Sequence, residues 1–260
     1  MADSDAYRKK KAFFDQVLTV FGRKPVLEAL QDNSLQCHAL HLADSNRDND
    51  ITRAILEAAR GRELTVRYHS RQELARISRN GRQDQGVALD IVCPAFLALE
   101  DYLGQVATRD SRQRLLALDG VSNPQNLGMI IRSATAAGMN GIIWSRRGNA
   151  ALGPLVVKAS AGTLYRAPLL FADTLPGALL ACRDNDIEVC ILEPDAKTDL
   201  FRHQPPGHCV YVLGNESEGV SSDARELAHT RLAIPMENDV ESLNVAVTAG
   251  LIAFAGYLDK

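Results

Sequence analysis

The chain has 260 residues, a formal net charge of −3, and 46% hydrophobic against 23% charged residues. That is the composition of a globular protein of one or two domains, and it excludes a disordered chain, a collagen-like repeat and a coiled-coil rod. Aromatic residues make up only 5%, which argues against a base-stacking platform as the main binding surface.

In chain order, residues 1–20 read as an N-terminal extension that carries a basic knot, Arg8-Lys9-Lys10-Lys11, and no apolar leader. No secretory signal is therefore expected. Residues 21–94 read as a small mixed α/β domain. The patterns predict a helix over Arg23 to Leu30, a strand over Gln36 to Ala43 and a helix over Ile51 to Arg60 stopped by Gly61. A strand over Leu64 to Tyr68, a helix over Gln72 to Ile77 and an alternating strand over Gly86 to Val92 follow. Residues 95–114, mixed apolar and charged, read as a linker.

Residues 115–260 read as a second domain of strands alternating with helices. Strands are predicted over Leu115 to Leu118, Gly141 to Trp144, Ile187 to Leu192 and Val210 to Leu213. Helices are predicted over Leu127 to Ala137, from Gly153-Pro154, and over Asp173 to Cys182. Apolar strands between helices make this an α/β class with a parallel sheet covered on both faces. Ligands then belong beyond the C-terminal ends of the strands. The run Ser242 to Leu258 lacks charge over 17 residues, short of the roughly 20 a membrane span needs. It reads as a buried helix, so no membrane association is expected.

Charge divides the two parts. Residues 1–114 hold 18 Lys and Arg against 16 Asp and Glu, whereas residues 115–260 hold 11 against 16. Within the first part, Arg71, Arg76, Arg79 and Arg82 accompany a single Glu. They form either a solvated face or a surface for RNA phosphates. The five cysteines include no C-x-x-C pair, which fits reduced buried thiols in a cytoplasmic protein and no zinc site.

Three turns of the second part are rich in Gly, Asn and acid. The first is Asn123-Pro124-Gln125-Asn126-Leu127-Gly128, with Arg132 one turn beyond. Asn126 is placed for N-capping, and Gly128 leaves a gap over which Arg132 could run back toward the turn. The second is Leu213-Gly214-Asn215-Glu216-Ser217-Glu218-Gly219. Its glycines have Walker-like separation, but Val220 and Ser221 stand where Lys and Ser or Thr belong, and two carboxylates disfavour phosphate. It also lacks the dinucleotide-loop spacing, so NAD is disfavoured. The third leads through Ile234-Pro235-Met236 to Glu241-Ser242-Leu243-Asn244, where Ser242 is placed to cap the last helix. On that helix Ala246, Ala249, Gly250, Ala253 and Gly256 form a stripe of small residues, suited to packing on the sheet or on a second subunit.

Taken together and in this order, the three segments resemble motifs 1, 2 and 3 of the SpoU (TrmH-like) RNA ribose 2′-O-methyltransferases. The front segment, from Phe21-Gly22 to Val92, resembles the substrate-binding domain found before that catalytic domain. The resemblance implies a SPOUT-type parallel sheet with a C-terminal trefoil knot, preceded by a small α/β (L30e-like) domain. It implies S-adenosylmethionine as cofactor, held at Gly214, Ile234, Met236 and Leu243, and a homodimer with the active site near the subunit interface. It implies Asn126, Arg132, Glu216, Ser242 and Asn244 as catalytic residues, no metal, and rRNA or tRNA as substrate. Arg132 would grip the phosphate beside the target ribose or assist loss of the 2′-hydroxyl proton. A catalytically silent RNA-binding or assembly protein on the same fold, and a base-nitrogen methylase, are the competing functions. The Asn-rich turn with Arg132 favours ribose.

Overall fold

The computed structural model describes residues 13–109, 111–215 and 218–256, and these divide into two units: one of residues up to 94 with 152–154, the other of residues 95–151 and from 155 onward. The basic knot at Arg8 to Lys11 lies outside the described residues.

In the first unit, strands β1 (Val17–Phe21), β2 (Gln36–Ala43), β3 (Thr65–His69) and β4 (Val87–Val92) form one sheet in the order β1-β4-β2-β3. β4 pairs antiparallel with both neighbours, while β2 and β3 are parallel. Every residue of β4 is buried. Helices α1 (Arg23–Gln31), α2 (Asp50–Gly61) and α3 (Arg71–Ser78) complete the unit. Each of the last two starts where a short polar side chain satisfies orphan amides. Asn49 accepts from the Thr52 amide at 3.0 Å. Ser70 and Glu73 form a reciprocal capping box, with the Glu73 amide donating to Ser70 Oγ and the Ser70 amide to Glu73 Oε2. β1 draws residues 17–20 of the expected extension into the sheet.

The second unit contains strands β5 (Leu97–Ala98), β6 (Arg114–Leu118), β7 (Gly141–Ser145), β8 (Leu169–Ala172), β9 (Glu188–Leu192), β10 (Thr198–Asp199), β11 (Cys209–Leu213) and β12 (Thr230–Ala233). They lie in the order β10-β12-β9-β11-β6-β7-β8-β5, and every pairing is parallel. Helices are α4 (Leu99–Val106), α5 (Pro124–Ala136), α6 (Pro154–Ala159), α7 (Leu175–Asp184), α8 (Ser222–Leu227) and α9 (Val245–Ala255). β6, β7 and β11 are almost wholly buried, as a parallel sheet covered on both faces requires. None of the helices among the described residues is long and apolar enough to cross a membrane.

Three local expectations change. Residues 95–114 are not a linker: α4 buries Leu99, Tyr102, Leu103 and Val106 in the core beneath the sheet. The N-cap of α5 is Asn123 rather than Asn126, with Pro124 at the first helical position, where its missing N–H costs nothing. The N-cap of α9 is Asn244 rather than Ser242. Helix α9 packs on α5 through a face that includes Ala246, Ala249 and Ala253, but Val247 and Phe254 are exposed. The last helix is thus buried on one side only. The stripe of small residues divides accordingly: its alanines face the chain's own core, while a Cβ on Gly250 would meet nothing within 4 Å.

Candidate active site at the carboxyl ends of β6 and β11

β6 and β11 are neighbours, and the chain leaves β6 toward β7 on one side while β11 and β9 lie on the other. This reversal of strand order creates a crevice beyond the strand ends. The loops there are stitched together. The Asp119 amide donates to the Leu213 carbonyl at 2.8 Å, and the Ser221 amide donates to Asp119 Oδ2 at 2.7 Å. Asn215 Nδ2 donates to the Gly120 carbonyl at 2.9 Å, and Asn215 and Gly219 exchange two backbone bonds of 2.9 Å. From the β7 side, Asn149 Oδ1 accepts from the Val121 amide at 2.8 Å, and its Nδ2 donates to the Leu118 carbonyl at 3.1 Å.

Between these loops lies a cleft of about 130 Å³, walled by residues 120–123, by Gly214 and Asn215, and by Asn126 and Val245. Two helix N-termini meet there. Asn123 Oδ1 accepts from the Gln125 amide at 2.8 Å at the start of α5. Asn244 Oδ1 accepts from the Ala246 amide at 2.9 Å at the start of α9. Asn244 Nδ2 also donates to Asn126 Oδ1 at 3.4 Å, which joins the first and third sequence motifs. The paired helix ends present partial positive charge to the cleft, a setting that favours acceptor atoms and anions.

Gly214 lines the cleft, but the reason for a glycine is local. A Cβ there would run into the backbone of Gly219 and Val220, so the loop closes on itself. Gly128 likewise serves packing. It is buried, and a Cβ would lie 2.7 Å from the Val156 carbonyl oxygen and 2.9 Å from the Ser160 amide. The gap expected beneath Arg132 is filled by α6.

Arg132 is exposed and stands on the wall of a second, larger groove of about 740 Å³ between α5 and α9. Asn244 lines this groove and reaches the cleft through its bond to Asn126. The remaining groove lining is mostly apolar and includes Met129, Phe201, Val247 and Phe254. The fold thus brings Asn126, Gly214 and Asn244 together and puts Arg132 beside Asn244. It does not bring Ile234, Met236 or Leu243 into the cleft: Met236 is exposed, and the other two are half-buried. Ser242 is exposed, and Glu216 lies outside the described residues. Asn149 and Gly120 were missed by sequence reasoning. Gly120, at φ 74°, sits in a Gly-containing turn that could have been read, whereas nothing local marks Asn149.

In the first unit Arg71, Arg76, Arg79 and Arg82 are all exposed. The sheet of the same unit holds a polar chain. Thr19 Oγ1 donates to Asp90 Oδ1 at 2.7 Å, His41 Nε2 lies 3.1 Å from Asp90 Oδ2, and His41 Nδ1 lies 2.9 Å from His69 Nε2. Burial pushes the Asp90 carboxyl up, but the hydrogen bonds from His41 and Thr19 outweigh it and hold the group below its ordinary range.

An α/β unit with a polar cleft at the reversal point of a parallel sheet has the architecture of a ligand-binding domain of the doubly wound kind. Residues 113–254 match the model of the SpoU rRNA methylase family, and residues 19–95 match the model for RNA 2′-O ribose methyltransferase substrate binding. The chain belongs to the SpoU rRNA methylase family. A Mycolicibacterium vanbaalenii protein named uncharacterized tRNA/rRNA methyltransferase is 33% identical over 246 residues, covering 94% of this chain and 77% of that one. A TrmH-family protein from Porphyromonas gingivalis superposes with TM-score 0.60 at 26% identity, over 97% of this chain and 92% of that one. The SpoU methyltransferase AviRb from Streptomyces viridochromogenes, solved with AdoMet, superposes with TM-score 0.61 at 21% identity, over 98% and 94%.

Proposed function

We propose that this chain transfers a methyl group from S-adenosylmethionine to a ribose 2′-hydroxyl of structured rRNA or tRNA. The observation that carries the reading is the Asn126–Asn244 contact. It joins the first and third motif regions beside a cleft walled by Gly214 and Asn215 of the second, with Arg132 on the neighbouring groove.

The cleft suits part of the cofactor. Its rim of backbone groups and Asn side chains fits the polar edge of a nucleoside, and Val121 and Val245 supply apolar walls. Its volume of about 130 Å³ is below the roughly 300–1,000 Å³ of small-molecule sites. Gly120, Gly214 and Asn215 would hold the bound part, and the segment with Ile234, Met236 and Leu243 would have to close over the remainder. When bound, the cofactor supplies a methyl group already activated on a sulfonium. The chain's task is then to align the ribose and to manage its proton. Asn126 and Asn244 orient one another at the mouth of the cleft. Arg132, exposed on the neighbouring wall, grips the adjacent phosphate through its planar fork. A guanidinium holds its proton firmly and is a poor base, so the clamp is the favoured role.

The four arginines of the first unit would contact RNA phosphates. The apolar groove between α5 and α9 would receive a second copy of the chain, and the segment between β12 and α9 would form the knot. The test is to incubate the protein with S-adenosylmethionine and unmodified rRNA and tRNA, and to map 2′-O-methyls in total RNA with and without the gene. A missing 2′-O-methyl in the deletion supports the reading. A methyl placed on a base nitrogen, or no transfer to either RNA, overturns it.

A further inference from the structure

The opposite end of the large sheet holds a cluster that the methyl-transfer reading leaves unused. Glu188 and Cys190 lie two residues apart on β9 and so project from the same face. His203 follows the short 3-10 turn Leu200–Arg202. His203 Nε2 lies 3.6 Å from Cys190 Sγ and 3.7 Å from Glu188 Oε2, and the three ligand-type atoms all fall within 4.8 Å of one another. Glu188 Oε2 is buried with no hydrogen-bond partner, although Glu188 Oε1 accepts from Thr230 Oγ1 at 2.5 Å. An orphaned carboxylate oxygen inside a protein asks for a partner. His203 Nε2, 3.7 Å away, stands too far off for a hydrogen bond.

Those separations have a simple chemical meaning. A tetrahedron with a zinc–sulfur bond of about 2.3 Å and zinc–nitrogen and zinc–oxygen bonds of about 2.0–2.2 Å has edges of about 3.3–3.7 Å. The 3.6 Å from Sγ to Nε2 matches a sulfur–nitrogen edge, and the 3.7 Å from Nε2 to Oε2 exceeds a nitrogen–oxygen edge by about 0.2 Å, so the carboxylate would move in by that much on binding. We propose that Glu188, Cys190 and His203 form a binding site for a zinc(II)-type cation, with water in the fourth position. The mixed sulfur, nitrogen and oxygen donors suit that borderline ion better than magnesium or calcium. The side chains of His203 and Glu188 retain 10% and 16% exposure, which leaves a route from solvent. Thr230 orients the carboxylate from the neighbouring strand, as outer partners of metal ligands do. His203 packs edge-on against Tyr211, with ring planes at 88°. The cation would therefore pin the 200–203 segment, whose Phe201 lines the apolar groove, to the sheet.

The test uses the full chain, reduced and stripped with a chelator, and titrated with cobalt(II) as a spectroscopic stand-in for zinc. One equivalent should produce thiolate-to-cobalt charge transfer and the intense d–d absorption of a tetrahedral ion, and zinc should abolish both. Cys190→Ser should remove the charge-transfer band. Thr230→Val should weaken affinity about 10–100-fold. Cys182→Ala, a buried thiol on α7 outside the cluster, should change neither. Should Cys190→Ser fail to fold, His203→Gln replaces it, with weakened binding as the expected result. Weak octahedral bands alone in the folded wild type, or an unchanged charge-transfer band in folded Cys190→Ser, would overturn the assignment.

Discussion

Strands β4 and β11 are both buried along their whole length, yet they treat polar groups in opposite ways. β4 carries Asp90 near its end inside the small sheet, where Thr19 and His41 satisfy it. β11 is apolar apart from its cysteine and tyrosine, and its neighbourhood gathers polar groups beyond its carboxyl end at Gly214 and Asn215. A polar group within a sheet must be answered where it stands. One placed past a strand end stays available to a ligand. The first unit therefore spends its buried polarity on its own stability, and the second keeps polarity for chemistry.

The sharpest break of this comparison is Arg132→Ala. Arg132 is exposed, so its loss should leave stability within about 0.5 kcal/mol. Methyl transfer should fall by about 100-fold or more, with cofactor affinity nearly intact. Arg132→Lys should be almost as inactive, because an ammonium cannot reproduce the bidentate fork. Single-turnover kinetics on RNA would check both, and a wild-type rate in Arg132→Ala would remove the residue from the site.

Gly214→Val should abolish detectable cofactor binding by calorimetry. The cause is the collision with Gly219 and Val220, which must reopen the loop, and not intrusion of a side chain into the cleft. Unchanged affinity in a folded variant would show that the loop does not shape the pocket. Gly128→Ala tests packing behind the cleft. The added methyl meets backbone of α6 and the following residue, which cannot give cheaply. We expect a loss of about 1–3 kcal/mol from overpacking, offset by at most about 1 kcal/mol of helix propensity. The midpoint of urea unfolding reads the balance, and a rise in that midpoint would contradict the close approach.

For the first unit the expected signature is acid lability. The Asp90 carboxyl is held below its ordinary value of 3.8. Its stabilising contribution is therefore present above that value and lost as pH falls through the lower, folded pKa. Asp90→Asn should flatten this acid limb while leaving methyl transfer at neutral pH unaffected. An acid limb identical to wild type would assign the lability elsewhere. The smallest change is expected from replacing Arg71, Arg76, Arg79 and Arg82 by Ala. Stability and cofactor binding should hold, and the log-log salt dependence of RNA binding should flatten by roughly 0.7–0.9 per lost phosphate contact. An unchanged slope would leave the four arginines as a solvated face.

Much of this was legible in the chain itself. The strand Gln36–Ala43 occupies the residues its pattern marks, because a short, largely apolar run of strand length between turn residues suits a buried strand. The three polar turns could be found because Gly, Asn and Pro cluster at strand ends for conformational reasons. Helix α4 was readable too. Leu99, Tyr102, Leu103 and Val106 have helical spacing, but the charges that follow at Arg109 and Arg112 made the stretch read as a connector. Pro124 marks Asn123 as the cap of α5, since proline favours the first helical position.

Other features depended on partners distant in the chain. Gly128 is explained by Val156 and Ser160, Asn149 by Val121 and Leu118, and Asn126 by Asn244. Short strands such as β8 and β12 owe their existence to neighbours already in place, as Leu170 pairs with Ile143 and Leu232 with Leu192. The sequence by itself determined the α/β class, the principal strands and helices of both parts and the family, because these follow from local periodicity and from turn chemistry. Which cap closes a helix, which glycine admits a neighbouring helix, and which strand-end groups share one cleft were decided only by the tertiary structure. Those outcomes depend on distances of a few ångströms between segments that the one-dimensional order leaves far apart.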